Sequence, residues 1–400
     1  MAKKKADSAH AVAEEEVAVP PEGDSPKEAV ESREGPVQDR LTALLKSASM
    51  KALAKKHPTA PVATTTAASL VVPRFRTNIL GLDLAFRGGL PAGIVHHWFG
   101  NKASGKTTAL LLVIAAMQRT CAACYRALAA PGQKPCCGKP RVPVCSFVNV
   151  ESPIDGEWAK DLGVDFGSLL YSHCATAEQG IDSMDALLAS EEVDFLGFDS
   201  IGAMIPTSEL NKTAEEVDVG TVPRMVHRFT RKMTSGLNAQ GQKYGRRPTV
   251  VLLNQTRMKV GVMFGNPETT SGGMGPGFHA GAELRFSPSK VHRDEKTNQN
   301  LYVEITAAVN KSKYTNTTGA SVSFRVAQNP GEAHAKGQIL DAGVLVDLGV
   351  QAGIITGAGP SWTCLGEPFR GKSLIEDKIA HEPELRAKVY DSILQVMLAA

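Results

Sequence analysis

Lys106 and Thr107 close the pattern Gly100-Asn101-Lys102-Ala103-Ser104-Gly105-Lys106-Thr107, with Thr108 directly behind it. This is the spacing of a phosphate-binding loop. A polyphosphate needs several backbone N–H groups pointing inward, and glycines let the backbone come that close. Lys106 would reach the β- and γ-phosphates of a nucleoside triphosphate, and the Thr107 hydroxyl would meet Mg²⁺. The bland alternative is a glycine-rich turn. The flanks favour the loop: 93–99 reads as a strand and 108–117 as an apolar, buried helix whose N-terminus faces the phosphates.

Two carboxylates sit where such a site needs them. Glu151 follows the apolar run 145–150, and Asp199 stands near the end of the run 193–200. In parallel α/β sheets the carboxyl ends of the strands face the ligand crevice. Glu151 there would activate a water against the γ-phosphate, or else serve as a helix-start carboxylate. Asp199 would hold Mg²⁺, directly or through water. A further run, 250–255, ends in Gln255, an amide able to sense a terminal phosphate. Asp155 and Trp158 follow Glu151; the indole could stack on adenine or belong to the core. Apolar strands ending in polar groups, with helical segments between them, describe an α/β fold with a mostly parallel, helix-flanked sheet.

From Gly220 to Pro267 there is no acid but nine positive side chains: Arg224, Arg228, Arg231, Lys232, Lys243, Arg246, Arg247, Arg257 and Lys259. Arg224, Arg228 and Arg231 recur at helical spacing and share one face. Such a local field suits a phosphate backbone, although a solvated surface would look similar. A long glycine-rich stretch, 261–277, begins just after Gln255 and could connect nucleotide state to nucleic-acid contact.

The bulk numbers set limits. The chain has 400 residues, a net charge of +3 and seven cysteines. Any nucleic-acid affinity must therefore come from local patches. No apolar run reaches membrane length, and the lysines at residues 3–5 precede no apolar stretch, so the expectation is a cytoplasmic protein without a membrane partner. Residues 1–38 read as a polar, disordered tail. Over 39–56, Leu41, Leu44, Leu45, Ala48 and Ala52 fall at helical spacing; this element packs either on its own domain or on a neighbouring subunit. Cys121 and Cys124 form a C-x-x-C, followed after eleven intervening residues by Cys136-Cys137. The arrangement resembles a zinc ribbon, but its second half is a bare Cys-Cys, so zinc and a metal-free cysteine-rich loop both stand.

At 254–273 the sequence resembles the RecA recombinase family nearly residue for residue, along its second DNA-binding loop. Further similarities run through 151–155, 162–165, 199–200 and 345–350, so the resemblance covers about 70–395 with interruptions. It implies a RecA-type P-loop ATPase core at 73–334 with a Cys-rich insertion at 121–140. An N-terminal oligomerisation helix and linker at 39–72 and a small C-terminal α/β domain at 335–400 would flank it, with Trp362 in the core of the latter. It also implies a filament on single-stranded DNA that sandwiches ATP between subunits and exchanges strands with homologous duplex DNA. By position, Glu151 resembles the water-activating glutamate and Gln255 the γ-phosphate sensor. Asp155 and Trp158 resemble adenine contacts, with Trp in place of the usual Tyr. Arg224 and Arg231 resemble arginines flanking the first DNA loop, and Met258, Lys259, Val260, Gly272 and Gly273 second-loop contacts. Lys311 and Lys313 resemble a lysine pair that reaches the neighbour's ATP, one residue out of step. The insertion, Lys102 in place of the usual Glu, and Met274-Gly275-Pro276-Gly277 depart from the family and suit a divergent member, such as one a phage would carry. A hexameric helicase is the rival reading, lacking here an obvious arginine finger.

Overall fold

The computed structural model describes residues 37–58, 62–63, 70–129, 133–210, 220–258 and 268–399. Nearly all of the expected tail (1–36), Lys259 and Val260 lie outside the described residues. The chain divides into two units, residues 1–69 and 70–400. In the first, the amphipathic stretch forms two helices, Val37–Lys46 and Ala48–Lys56. Ser47 separates them: its backbone is extended and its side chain accepts the Met50 N–H, the geometry of an N-cap. Neither helix has a buried residue.

The second unit is built on a sheet of ten strands. A short ribbon of β1 (Arg74–Phe75) and β2 (Leu90–Pro91) precedes it. The parallel part comprises β3 (Val95–Gly100), β4 (Cys145–Asn149), β5 (Leu169–His173), β6 (Phe195–Asp199) and β7 (Thr249–Met258). Then come β8 (Glu268–Thr270), β9 (Ala282–Phe286), β10 (Lys290–Arg293), β11 (Asn300–Ser312) and β12 (Ser321–Ala327). The order is β10-β11-β9-β3-β7-β6-β4-β5, with β12 on β11 and β8 on β7. β9 runs parallel to β3, and β10, β11 and β12 form an antiparallel extension.

Strands β3, β4 and β6 are buried at every residue, as strands covered on both faces must be. The alternation of β7 shows the two layers. Val251 and Leu253 join Leu110, Ile114 and Phe147 under the P-loop helix Lys106–Gln118. Val250 and Leu252 join Phe198, Phe229 and Met233 under the helices Ala177–Ala189 and Thr221–Tyr244. The P-loop helix is apolar on nearly all sides, so it can only sit inside. No helix among the described residues is long and apolar enough to cross a membrane.

A third core gathers Leu345, Ile355, Ile375, Ile379, Val389 and Ile393 with Leu80. It lies between the helices Ala342–Gln351, Lys372–His381 and Pro383–Ala399 and the small antiparallel sheet of β13 (Ile355–Ala358), β14 (Ser361–Cys364) and β15 (Glu367–Arg370). Trp362 is only half-buried there, because its indole N–H is turned outward to donate to the Gly359 carbonyl at 2.9 Å. The last helix is tied to the start of the second unit by one buried carboxylate. Asp83 accepts from the Thr77 N–H at 2.9 Å, the Thr77 hydroxyl at 2.7 Å and the Tyr390 hydroxyl at 2.7 Å. Burial pushes its pKa up to about 6 against these hydrogen bonds. Tyr390→Phe leaves this carboxylate one donor short. Denaturant melts should show a loss of about 1–3 kcal/mol in stability, with ATP turnover retained in the folded protein.

Candidate nucleotide site and nucleic-acid face

The phosphate loop leaves β3 at Gly100 because nothing larger fits: an added Cβ would stand 2.3 Å from the Phe286 carbonyl oxygen. Gly105 has φ +81°, and its Cβ would meet Ile305 at 2.6 Å. The loop's interior is filled by its own lysine. Lys106 Nζ donates to the carbonyls of Gly100 (3.1 Å) and Asn101 (2.8 Å) and to Ser104 Oγ (3.2 Å). Ser104 and Lys106 are buried, Asn101, Lys102 and Ala103 exposed. Burial lowers the Lys106 pKa, while Asp199 and Glu151 pull it upward.

Thr107 Oγ1 donates to Asp199 Oδ2 at 2.6 Å, joining the start of the helix to the end of β6. Burial pushes Asp199 up to about 6; the Thr107 hydrogen bond and Lys106 oppose the rise, and Glu151 adds to it. A hydroxyl and a buried carboxylate in contact are oxygen donors that fit a hard divalent ion such as Mg²⁺. Glu151 is exposed at the end of β4. Ser200 Oγ donates to its Oε2 at 2.8 Å, and Gln255 Nε2 stands 3.5 Å from both of its oxygens. Ser200 is a residue whose contact with the acid only the structure reveals.

The end of β7 is tied to the far side of the long loop. The Ser271 N–H donates to the Gln255 carbonyl at 3.1 Å, and Asn254 Nδ2 donates to the Ser271 carbonyl at 2.9 Å. Thr256 Oγ1 donates to Asn101 of the phosphate loop. Behind these, Asn254 Nδ2 also reaches His97 Nε2 at 3.1 Å, and His97 Nδ1 meets Glu283 Oε1 at 2.9 Å. None of Asn254, Thr256, Ser271, His97 and Glu283 stood out as a site residue in the sequence. All are polar residues at strand ends or inside strands, where composition gives no signal.

Arg224, Arg228 and Arg231 share one face of the helix Thr221–Tyr244 and line a shallow groove with Pro223 and His227. The second-loop ends lie against the same helix: a Cβ on Gly272 would meet Val226 at 2.7 Å. Gly273 faces open space and Met258 is exposed. His279 packs its ring 5.6 Å from that of His227. Burial lowers the His279 pKa, and His227, Arg231, Lys313 and Lys311 lower it further.

The other sequence candidates make contacts of their own. Asp155 caps the helix Gly156–Asp161, accepting the Glu157 and Trp158 N–H groups. Trp158 is half-buried against the main core, with Lys336 Nζ 5.6 Å from its ring centre. Lys311 pairs with Glu283, which pairs with His97; Gly100 pairs with Phe286, which pairs with Ala307. Lys311 therefore stands level with the middle of β3, roughly 10 Å back along the strand from the phosphate loop, and two strands across. Lys313 lies further back, its N–H bonded to the Gly281 carbonyl at 2.9 Å. A β-bulge between Val309 and Lys311 supplies one extra residue where the lysine pair is out of step. The sulfurs of Cys121, Cys124, Cys136 and Cys137 all lie within 4.8 Å of one another.

A phosphate loop on the central strand, a carboxylate at the ends of β4 and β6, and an amide at the end of β7 make this a P-loop nucleotide hydrolase with a basic face beside its site. A model of the RecA N-terminal domain matches residues 136–327. The chain is 32% identical over 322 residues to protein RecA of Paracoccus denitrificans, covering 79% of each. It is 32% identical over 321 residues to protein RecA of Acidiphilium cryptum (79% of this chain, 82% of the relative) and 32% identical over 333 residues to that of Pseudomonas putida (82% and 83%). The chain belongs to the RecA family.

Ser200→Ala removes the hydroxyl that holds Glu151. The expected result is a loss of about 1.5 kcal/mol in transition-state stabilisation, roughly tenfold in kcat, with the KM for ATP little changed in steady-state assays.

Proposed function

We propose that this protein is a DNA-dependent ATPase that assembles as a filament on single-stranded DNA, pairs it with homologous duplex and exchanges strands. The observation that carries the reading is the hydrogen-bonded path from Glu151 through Gln255 to Ser271. It joins the acid beside the phosphate loop to the end of the loop that lies on the arginine helix. Family membership supports recombination and does not favour the hexameric helicase.

In this reading, 100–108 cradle the triphosphate and Lys106 turns from the loop carbonyls to the β- and γ-phosphates. Thr107 and Asp199 would hold Mg²⁺, which when bound neutralises charge developing between those phosphates. Glu151 accepts the proton of a water whose oxygen bonds to the γ-phosphorus as the bond to the β-phosphate oxygen breaks, leaving ADP and phosphate. The Gln255 amide, 3.5 Å from Glu151, would turn to the γ-phosphate. Its own backbone bond to Ser271 then moves the loop. Arg224, Arg231, Met258, Lys259, Val260, Gly272 and Gly273 contact DNA. Asp155, exposed at the start of its helix, and Trp158 border adenine. Lys311 and Lys313, set back from their own phosphate loop, act on a neighbour's. The partition into a docking element at 39–72, a core at 73–334 and a C-terminal domain at 335–400 belongs to the same reading, supported by the separate core around Leu345. Zn²⁺ at the insertion thiols would take no part in this cycle.

Strand exchange between a circular single strand and homologous linear duplex, with ATP and Mg²⁺, should yield joint molecules and nicked circles. Binding to single strands without any joint molecules would refute the recombinase reading. Lys106→Ala should abolish turnover, and Glu151→Gln should slow it while sparing nucleotide binding. Mixing Lys106→Ala with a Lys311→Ala/Lys313→Ala double variant tests the shared site. Hydrolysis recovered by the mixture is expected; none would mean that the lysines serve their own subunit or no nucleotide at all.

A further inference from the structure

We propose that Cys121, Cys124, Cys136 and Cys137 form a four-thiolate Zn²⁺ site that staples the insertion to the buried carboxylate of Asp194. The spacing carries the argument. Cys121 and Cys137 sulfurs stand 3.8 Å apart, and Cys124 and Cys136 sulfurs 3.7 Å. A disulfide needs roughly 2.05 Å. Four thiolates at roughly 2.3 Å around a tetrahedral centre stand roughly 3.8 Å from each other. The thiols thus outline the coordination shell of one tetrahedral ion.

The backbone explains how a bare Cys-Cys can serve. In an extended chain adjacent side chains point apart. Here 136–139 is a run of bends, and both thiols reach the same cluster. The other half is a tight knuckle: the Tyr125 N–H donates to the Cys121 carbonyl at 2.7 Å, and Tyr125 has φ +58°. The Arg141 N–H points at Cys121 Sγ from 3.3 Å, an outer hydrogen bond of the kind that orients a metal-bound thiolate. Soft thiolates select Zn²⁺ over Mg²⁺ or Ca²⁺, and four of them leave no open position for substrate. The ion is structural.

Its place in the fold says what it holds. The insertion leaves the P-loop helix after Gln118 and enters β4 at Cys145, at the end of the sheet opposite Glu151 and Asp199. Arg141, bonded to the knuckle through Ala122 N–H at 2.9 Å, places its guanidinium on Asp194. Asp194, 7% exposed, also accepts the Val144 N–H at 3.0 Å and Arg246 Nη1 at 3.3 Å. The knuckle therefore closes over the junction where β4, β6 and the segment after the arginine helix meet.

The test uses the full chain, purified without chelator or added metal. Elemental analysis should find about one zinc per chain, falling to near none in Cys121→Ser and Cys136→Ser. Where those variants fail to fold, wild-type protein stripped and reloaded with Co²⁺ keeps the proposal testable. Intense visible bands of tetrahedral cobalt with sulfur-to-cobalt charge transfer are expected. Weak octahedral bands, a disulfide found by mass analysis, or zinc-free protein with four free thiols would overturn the site. Metal removal should lower the melting temperature and leave kcat per folded molecule within about twofold, since the ion touches no reacting group. A large fall in kcat at an unchanged melting temperature would overturn the structural role. The zinc readout is independent of strand exchange, so either reading can fail alone.

Discussion

Parallel backbone pairing sets the site. Phe99 and Gly100 of β3 lie beside Asn254 and Gln255 of β7, and Asn149 of β4 lies beside Asp199 of β6. Because these strands run the same way, the phosphate loop, Asp199, Gln255 and Glu151 all lie toward their carboxyl-end edge, while β7 runs on past Gln255 to Met258. A slip of one residue would turn each side chain to the opposite face of the sheet. The buried, apolar interiors of β3, β4, β6 and β7 prevent that slip, since it would exchange the two core layers. The hydrogen bonds from Ser200 and Gln255 to Glu151, and from Thr107 to Asp199, refine a geometry that the sheet has already imposed.

A polar seam runs through this apolar sheet. Asn254, His97, Glu283 and Asn310 connect β7, β3, β9 and β11, with Asn310 Nδ2 donating to Glu283 Oε2 at 2.9 Å. Burial pushes the Glu283 carboxyl up, but the bonds from His97 and Asn310 and the nearby Lys311 charge outweigh it and hold it low. Such a seam tolerates little rearrangement, because a member left without its partner is a buried polar group with nothing to bond. It begins one residue before Gln255 and ends beside the bulge that carries Lys311. Gln255 and Lys311 thereby flank the two ends of one hydrogen-bonded seam, and Asn254 ties Ser271 to it.

The cysteine-rich insertion and the turn 274–277 occupy different parts of the fold. The insertion sits at the opposite end of the strands. Met274-Gly275-Pro276-Gly277 forms a short helix, Gly275–His279, beside the arginine helix, and Lys311 Nζ donates to the Gly277 carbonyl at 2.5 Å. The glycines there have a packing reason, for a Cβ on Gly277 would meet Glu283 Oε1 at 2.9 Å.

The sequence by itself determined the class of fold, the phosphate loop, the strand-end acids, the basic helix face and the family. Each is a local pattern, read within a few turns of helix or one strand, where residue type and spacing suffice. It also marked the cysteine pairs but left their ligand open, since spacing says nothing about whether two loops converge. Only the tertiary structure decided the rest. Ser200 meets Glu151 across 49 residues, Asn254 meets His97 across 157, and His97 meets Glu283 across 186. It also half-exposed Trp362 and set Lys311 back from its own phosphate loop. These follow from strand register and packing between distant segments, which no local pattern encodes.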